Sequence, residues 1–115
     1  MTEQDCIFCK IGRGEVPGTF LHRDDRCFVI RDIHPKAPTH LLAIPLRHVT
    51  AVAGLAAGEE PLVGHLLAVA GQAAKREGLA DNGYRLVVNQ GDDGGQEVAH
   101  LHVHVLGGRR LGAMG

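Results

Sequence analysis

Tryptophan is absent from these 115 residues, and one Tyr and three Phe are the only large aromatic rings. That scarcity excludes an aromatic-built core or stacking platform for nucleic acid, and leaves the core to Leu, Val, Ile and Ala. The formal charge is only −1, so no basic surface points to nucleic acid or to a membrane as partner. No apolar run reaches the length of a membrane span. Met1 to Asp5 is polar and acidic and gives no sign of a signal peptide. Three cysteines, an odd number, then argue for reduced thiols and a cytoplasmic location.

Glycine and histidine are the residues in plentiful supply, 16 and 8 of them. Apolar residues make up 44%, which suits a folded protein, and the length suits a single domain spanning residues 1–115. A short helix is predicted over Ile7 to Arg13, stopped by Gly14 and Pro17. Thr19 to Arg23 and Cys27 to Arg31 read as strands joined at Asp24-Asp25. Leu41 to Ile44 reads as a buried strand ended by Pro45. Leu62, Leu66, Val69 and Ala73 recur at helical spacing within Glu59 to Glu77, with Lys75 and Arg76 in the last turn and Gly78 after them. Tyr84 to Asn89 is a further strand. The glycine-rich loop Gly91-Asp92-Asp93-Gly94-Gly95 follows. The pattern predicts an α+β fold, a mainly antiparallel sheet of about five strands with one long helix on one face.

The chemistry concentrates in His100-Leu101-His102-Val103-His104-Val105-Leu106. In a strand, alternate side chains share a face, so three imidazoles would line one side and Leu101, Val103 and Val105 the other. Three ligands on one straight strand could hardly reach a single metal ion, because His100 and His104 would stand roughly 13 Å apart. Nucleophilic catalysis by the central His102 suits the spacing better. A glycine loop just upstream could bring backbone N–H groups to a phosphate beside the rings. Cys6 and Cys9 form a C-x2-C pair whose readings are a metal site or two small apolar core thiols. Cys27 reads as core, and His22, His34 and His65 as surface or packing residues.

The triad resembles the signature of the histidine triad (HIT) superfamily, and the resemblance spans nearly the whole chain. Cys6-Ile7-Phe8-Cys9-Lys10-Ile11 is similar to the family's N-terminal segment. Arg31-Asp32-Ile33 with Ala37-Pro38-Thr39-His40 resembles its nucleotide-binding region, and Asn89 to Gln96 its phosphate loop. Gly107-Gly108-Arg109 resembles the nucleotide-binding (Hint) branch.

The resemblance implies a HIT-like fold and hydrolysis of a purine nucleoside 5′-phosphoramidate through a nucleotidyl-histidine. His102 is the implied nucleophile, with its Nδ1 held by the carbonyl of His100. His104 contacts the phosphate, while His40 and Asn89 complete the catalytic set. Asp32 is implied to bind ribose, unless it merely shapes the turn before His34-Pro35. Ile7, Phe8, Ile11 and Ile33 form a purine slot, unless they are core. Gly95, Gln96 and Glu97 lie on the phosphate side, and Glu97 replaces a serine of the eukaryotic members. His48 and His100 are the implied partners of Cys6 and Cys9 around a structural zinc; no cofactor is needed for the chemistry. The implied partners are AMP, GMP and their phosphoramidates. A homodimer is implied through the long helix and the Tyr84 to Asn89 strand. The competing readings are a dinucleoside polyphosphate hydrolase and a non-catalytic module that binds purine nucleotides or zinc.

Overall fold

The structure, a computed structural model, describes residues 3–115. Met1 and Thr2, the start of the polar N-terminal stretch, lie outside them. The short helix α1 (Ile7–Gly12) comes first, then strands β1 (His22–Arg23), β2 (Cys27–Arg31) and β3 (Thr39–Pro45). Two single-turn segments, Val52–Gly54 and Ala57–Glu59, lead into helix α2 (Glu60–Arg76), followed by β4 (Tyr84–Val87) and β5 (Val103–Gly107). Among the described residues the strands form one sheet in the order β1-β2-β3-β5-β4, with every pairing antiparallel. No described helix is long and apolar enough to cross a membrane.

Helix α2 is set by its ends as much as by its apolar spacing. Glu60 and Pro61 occupy the first turn, where an acid and a missing N–H are both tolerated; Lys75 and Arg76 lie in the last. Gly78 then takes φ +80°, so its N–H reaches the Lys75 carbonyl and that of Leu79 the Ala74 carbonyl. Leu66, Val69, Ala70, Ala73 and Ala74 are buried against the sheet face that carries Cys27, Val29, Leu41, Ala43, Val103 and Val105. The opposite face carries Phe28, Leu42 and Ile44, and α1 covers part of it with Cys6, Phe8 and Cys9. What α1 leaves uncovered is the cleft.

Several element boundaries differ from the sequence reading. β1 shrinks to His22–Arg23 from its N-terminal side, leaving Thr19 to Leu21 outside the strand; the turn after it is set by Asp24 Oδ1, which takes the N–H groups of Arg26 and Cys27. Pro45 does not end β3 early; it pairs with Cys27 as the last residue of the strand. β4 stops at Val87, so Val88 and Asn89 belong to the following loop.

Candidate active site

The histidine run is only half a strand. β5 begins at Val103, and its ladder with β3 starts at the Val103–Ala43 pair. His100 to His102 form a bent approach instead: His100 N–H reaches the Val98 carbonyl, and Leu101 N–H the Val49 carbonyl. Side-chain alternation nonetheless persists, with Leu101, Val103 and Val105 buried on the α2 side. The expectation that all three rings stand on one face of a regular strand is therefore corrected. His100 is 0% exposed, His102 5%, and only His104 projects from a regular strand.

The hydrogen bonds fix which nitrogen of each ring carries the proton. His102 Nδ1–H donates to the His100 carbonyl at 2.7 Å, which leaves Nε2 as a bare lone pair. Phe8 meets the His102 ring edge-on at 5.1 Å, and His104 lies 4.9 Å away centroid to centroid. The Lys36 N–H donates to His40 Nδ1 at 3.0 Å. A backbone amide can only donate, so neutral His40 carries its proton on Nε2. That proton goes to His104 Nδ1 at 2.9 Å, and neutral His104 keeps its own on Nε2. Burial, then the neighbouring His102 and His40 rings, push His104 down to about 4. Burial lowers His40 too. Near neutral pH both are uncharged rings aligned in one direction.

These rings open on a cleft of about 420 Å³. His102, His104, His40 and Asn89 line it, as do Asp32 and Glu97. Ile7, Phe8, Ile11 and Ile33 give it an apolar end. Asp32 shapes the turn, its Oδ1 taking the His34 N–H at 2.8 Å, while Oδ2 stands 3.4 Å from His40 Nε2. Ile30, Lys36, Leu42, Val98 and Leu106 also line the cleft and were missed. The signal was there for Leu42 and Leu106, which follow His40 and His104 by two residues and so share their face.

The glycine loop is arranged differently from the anion cradle expected. The N–H groups of Gly95 and Gln96 close turns within the loop, onto the Asp92 and Gly91 carbonyls. The Gln96 side chain is not on the cleft: its Oε1 takes the Gly91 N–H, and its Nε2 donates to the Thr50 carbonyl. Asn89 Nδ2 donates to the Gly94 carbonyl and braces the loop. Gly95 and Glu97 are the loop residues that face the cleft.

Behind the cleft, Cys6 Sγ, Cys9 Sγ, His48 and His100 bring one donor atom each within 4.8 Å of one another. Nδ1 of His100 is 3.3 Å from Cys6 Sγ and 3.6 Å from Cys9 Sγ; Nδ1 of His48 is 3.3 Å from Cys9 Sγ. His100 Nε2–H is committed to the Pro45 carbonyl at 2.8 Å, so its Nδ1 lone pair faces the sulfurs. Two sulfurs, two imidazole nitrogens and an outer hydrogen bond that fixes the tautomer match a closed tetrahedral zinc site. Burial, reinforced by the adjacent Cys6 sulfur, pushes the Cys9 thiol up to about 11. A divalent cation among these groups would supply the charge that two thiolates need.

Cys27 is fully buried in the core, as expected, but His22 and His65 are more than packing or surface residues. His22 Nε2 and His65 Nε2 lie 2.7 and 2.6 Å from Asp24 Oδ2, tying β1 and α2 to the turn. Burial alone would raise the Asp24 carboxyl, but these imidazoles and the Arg26 and Cys27 amides hold it far below its usual range.

The HIT domain model matches residues 13–111. The purine nucleoside phosphoramidase of Escherichia coli (strain K12) is 45% identical over 111 residues, covering 96% of this chain and 93% of its own. A histidine triad protein from Clostridium difficile superposes with a TM-score of 0.93 at 41% identity, over the full length of both chains. A HIT family hydrolase from Legionella pneumophila gives 0.89 at 45% identity, over 92% of this chain and 95% of its own. With the domain model matching residues 13–111 and such relatives covering nearly all of its length, this chain belongs to the HIT domain family.

Proposed function

We propose that the protein hydrolyses purine nucleoside 5′-phosphoramidates through a nucleotidyl-histidine. One observation carries the reading: the 2.7 Å bond from His102 Nδ1–H to the His100 carbonyl, which leaves Nε2 free to attack. The name of the E. coli relative supports the same substrate class.

His102 Nε2 attacks the α-phosphorus; the P–N bond breaks, and the nitrogen takes up a proton and departs as an amine. Water then attacks phosphorus, the P–Nε2 bond breaks, and the nucleoside monophosphate leaves. His104 donates its Nε2–H to the phosphate oxygens as negative charge builds on them. Asp32 accepts from the ribose hydroxyls, and Ile7, Phe8, Ile11 and Ile33 hold the purine. Glu97, a carboxylate at the cleft, favours a cationic leaving amine.

Cys6, Cys9, His48 and His100 hold a structural zinc. An ion held by these four residues would tie α1 to the His100 backbone and would lie outside the chemistry. The free thiols suit a cytoplasmic protein. A homodimer forms through α2 and the outer edge of β4, where Leu67, Tyr84, Leu86 and Val88 are exposed. Residues 1–115 act as one domain.

The test is turnover of an adenosine 5′-phosphoramidate and, separately, of diadenosine polyphosphates, by the wild type and His102→Ala. Amide hydrolysis lost in the variant, with a wild-type adduct of one adenylyl group on His102 by mass spectrometry, is the expected result. Preference for the dinucleotide would shift the assignment to a polyphosphate hydrolase. Nucleotide binding with no turnover of either would leave only a binding module.

A further inference from the structure

The Gly107-Gly108-Arg109 segment that ends β5 has no part in the mechanism above, yet its second glycine is required where it stands. A Cβ on Gly107 would press on the tip of the Leu79 side chain, 2.9 Å from its Cδ1. Gly108 has φ +96°, and a Cβ there would lie 2.8 Å from Pro38 Cβ. At Gly108 only a residue without a side chain can turn this closely past the Pro35–Pro38 loop. The turn brings Arg109 back over that loop, where its Nη2 donates to the Lys36 carbonyl at 3.1 Å and its Nη1 to the Arg110 carbonyl at 2.9 Å.

Lys36 is the residue whose N–H begins the donor chain of the cleft. Arg109 holds the Lys36 carbonyl and so holds the residue in place, while the Lys36 N–H, on the preceding peptide unit, donates to His40 Nδ1. The donor chain continues from His40 Nε2–H to His104 Nδ1, and ends with His104 Nε2–H in the cleft. Imidazole can reverse its tautomer; a backbone amide cannot. The direction of the whole chain therefore depends on where the Lys36 amide points. Lys36 lies in a bend between two prolines and outside any strand, so no ladder holds it. Asp32 Oδ2, 3.4 Å from His40 Nε2, favours the same proton placement at longer range.

We propose that Arg109 is a positioning residue: it holds the Lys36 carbonyl and so keeps His104 presenting an N–H, rather than a lone pair, to the substrate phosphate. The catalytic part of this rests on the phosphoramidase reading; the tautomer part does not.

The experiment compares full-length wild type, Arg109→Ala and Arg109→Lys, labelled with ¹⁵N at histidine. Ring-nitrogen shifts give each tautomer, and kcat and KM are measured on an adenosine 5′-phosphoramidate. In the wild type, His40 and His104 are both Nε2–H. Arg109→Ala should give a mixed tautomer population at both rings. Its kcat should fall about three- to tenfold, the worth of one hydrogen bond, with KM within about twofold. Arg109→Lys, still able to donate to a carbonyl, should restore both. Unchanged tautomers in Arg109→Ala overturn the proposal whether or not kcat falls; so does a loss confined to KM. A wild type that does not turn over the amide defeats the phosphoramidase reading alone, because the ring shifts still decide the role of Arg109.

Discussion

Three histidines of one motif end in three different electrostatic states, and each state follows from its partners. His100 gives one ring nitrogen to Pro45 and turns the other toward the two cysteines. His102 uses Nδ1 on a carbonyl and keeps Nε2 bare. His104 accepts from His40 and is left a donor. Because His104 acts as a neutral donor, His104→Ala should lower kcat by about 10²-fold, typical of losing one donor to a developing oxyanion. Its depressed pKa also has a stability consequence. Above the unfolded value near 6.5, both states are neutral and the folded state is unpenalised. As pH falls from there toward about 4, the unfolded chain takes up a proton that folded His104 refuses, so stability is lost. The limiting slope is about 1.4 kcal/mol per pH unit for one such group. Denaturant melts from pH 7 to 4.5 should show a steeper fall for wild type than for His104→Gln. Equal slopes would remove His104 from the account.

At the scale of elements, α1 and the glycine loop close the cleft from two sides by different means. Helix α1 has six residues and no side-chain cap, too little to stand alone, so its place depends on burial of Phe8 and on the Cys6 and Cys9 contacts. Metal analysis of freshly purified wild type should find one zinc per chain, and Cys6→Ser/Cys9→Ser should find none and melt at lower temperature. Absence of zinc from the wild type would leave these thiols as plain core. The loop depends on shape: a Cβ on Gly94 would run into the Gln90 backbone. Gly94→Ala should therefore cost about 1–3 kcal/mol in a chemical melt, the range for forced overpacking. Much of this was legible in the sequence. Glycine punctuation, helical spacing and the alternating histidines placed most elements and the face of the cleft. What the sequence hid lies in contacts between distant residues. Nothing local says that Leu101 would bond Val49 and delay β5 until Val103, or that Gln96 would turn back to Thr50. Resemblance named His48 as a partner of Cys9; only the fold, across 39 residues, puts its Nδ1 3.3 Å from that sulfur.

For the whole molecule, the unanswered demand is at the sheet's far edge. β4 pairs with β5 on one side only, so its other edge presents unpaired backbone groups. The strand carries one charge, Arg85, but on its other side Tyr84 is 40% exposed and Leu86 37%, and Val88 just beyond it is 39% exposed. The Tyr84 hydroxyl reaches back to Gly71 of α2, where a Cβ would sit 3.5 Å from it, and Leu67 one turn earlier on that helix is 44% exposed. Strand edge and helix thus form one continuous apolar strip, the kind of surface a second copy covers with its own strip across a two-fold axis. In the proposed homodimer, charge placed there would be buried twice, once for each protomer, so even a single substitution would be costly. Sedimentation should find wild type at about twice the chain mass, and Leu67→Glu/Leu86→Lys at one chain mass. The variant should keep its fold by circular dichroism, because both side chains lie outside the buried core. A wild type that sediments as one chain at micromolar concentration would leave the strip without its occupant. The hydrogen bonds that set the tautomers, from Lys36 to His40 and from His40 to His104, lie within one chain. A monomeric variant should therefore retain the wild-type tautomers at His40 and His104.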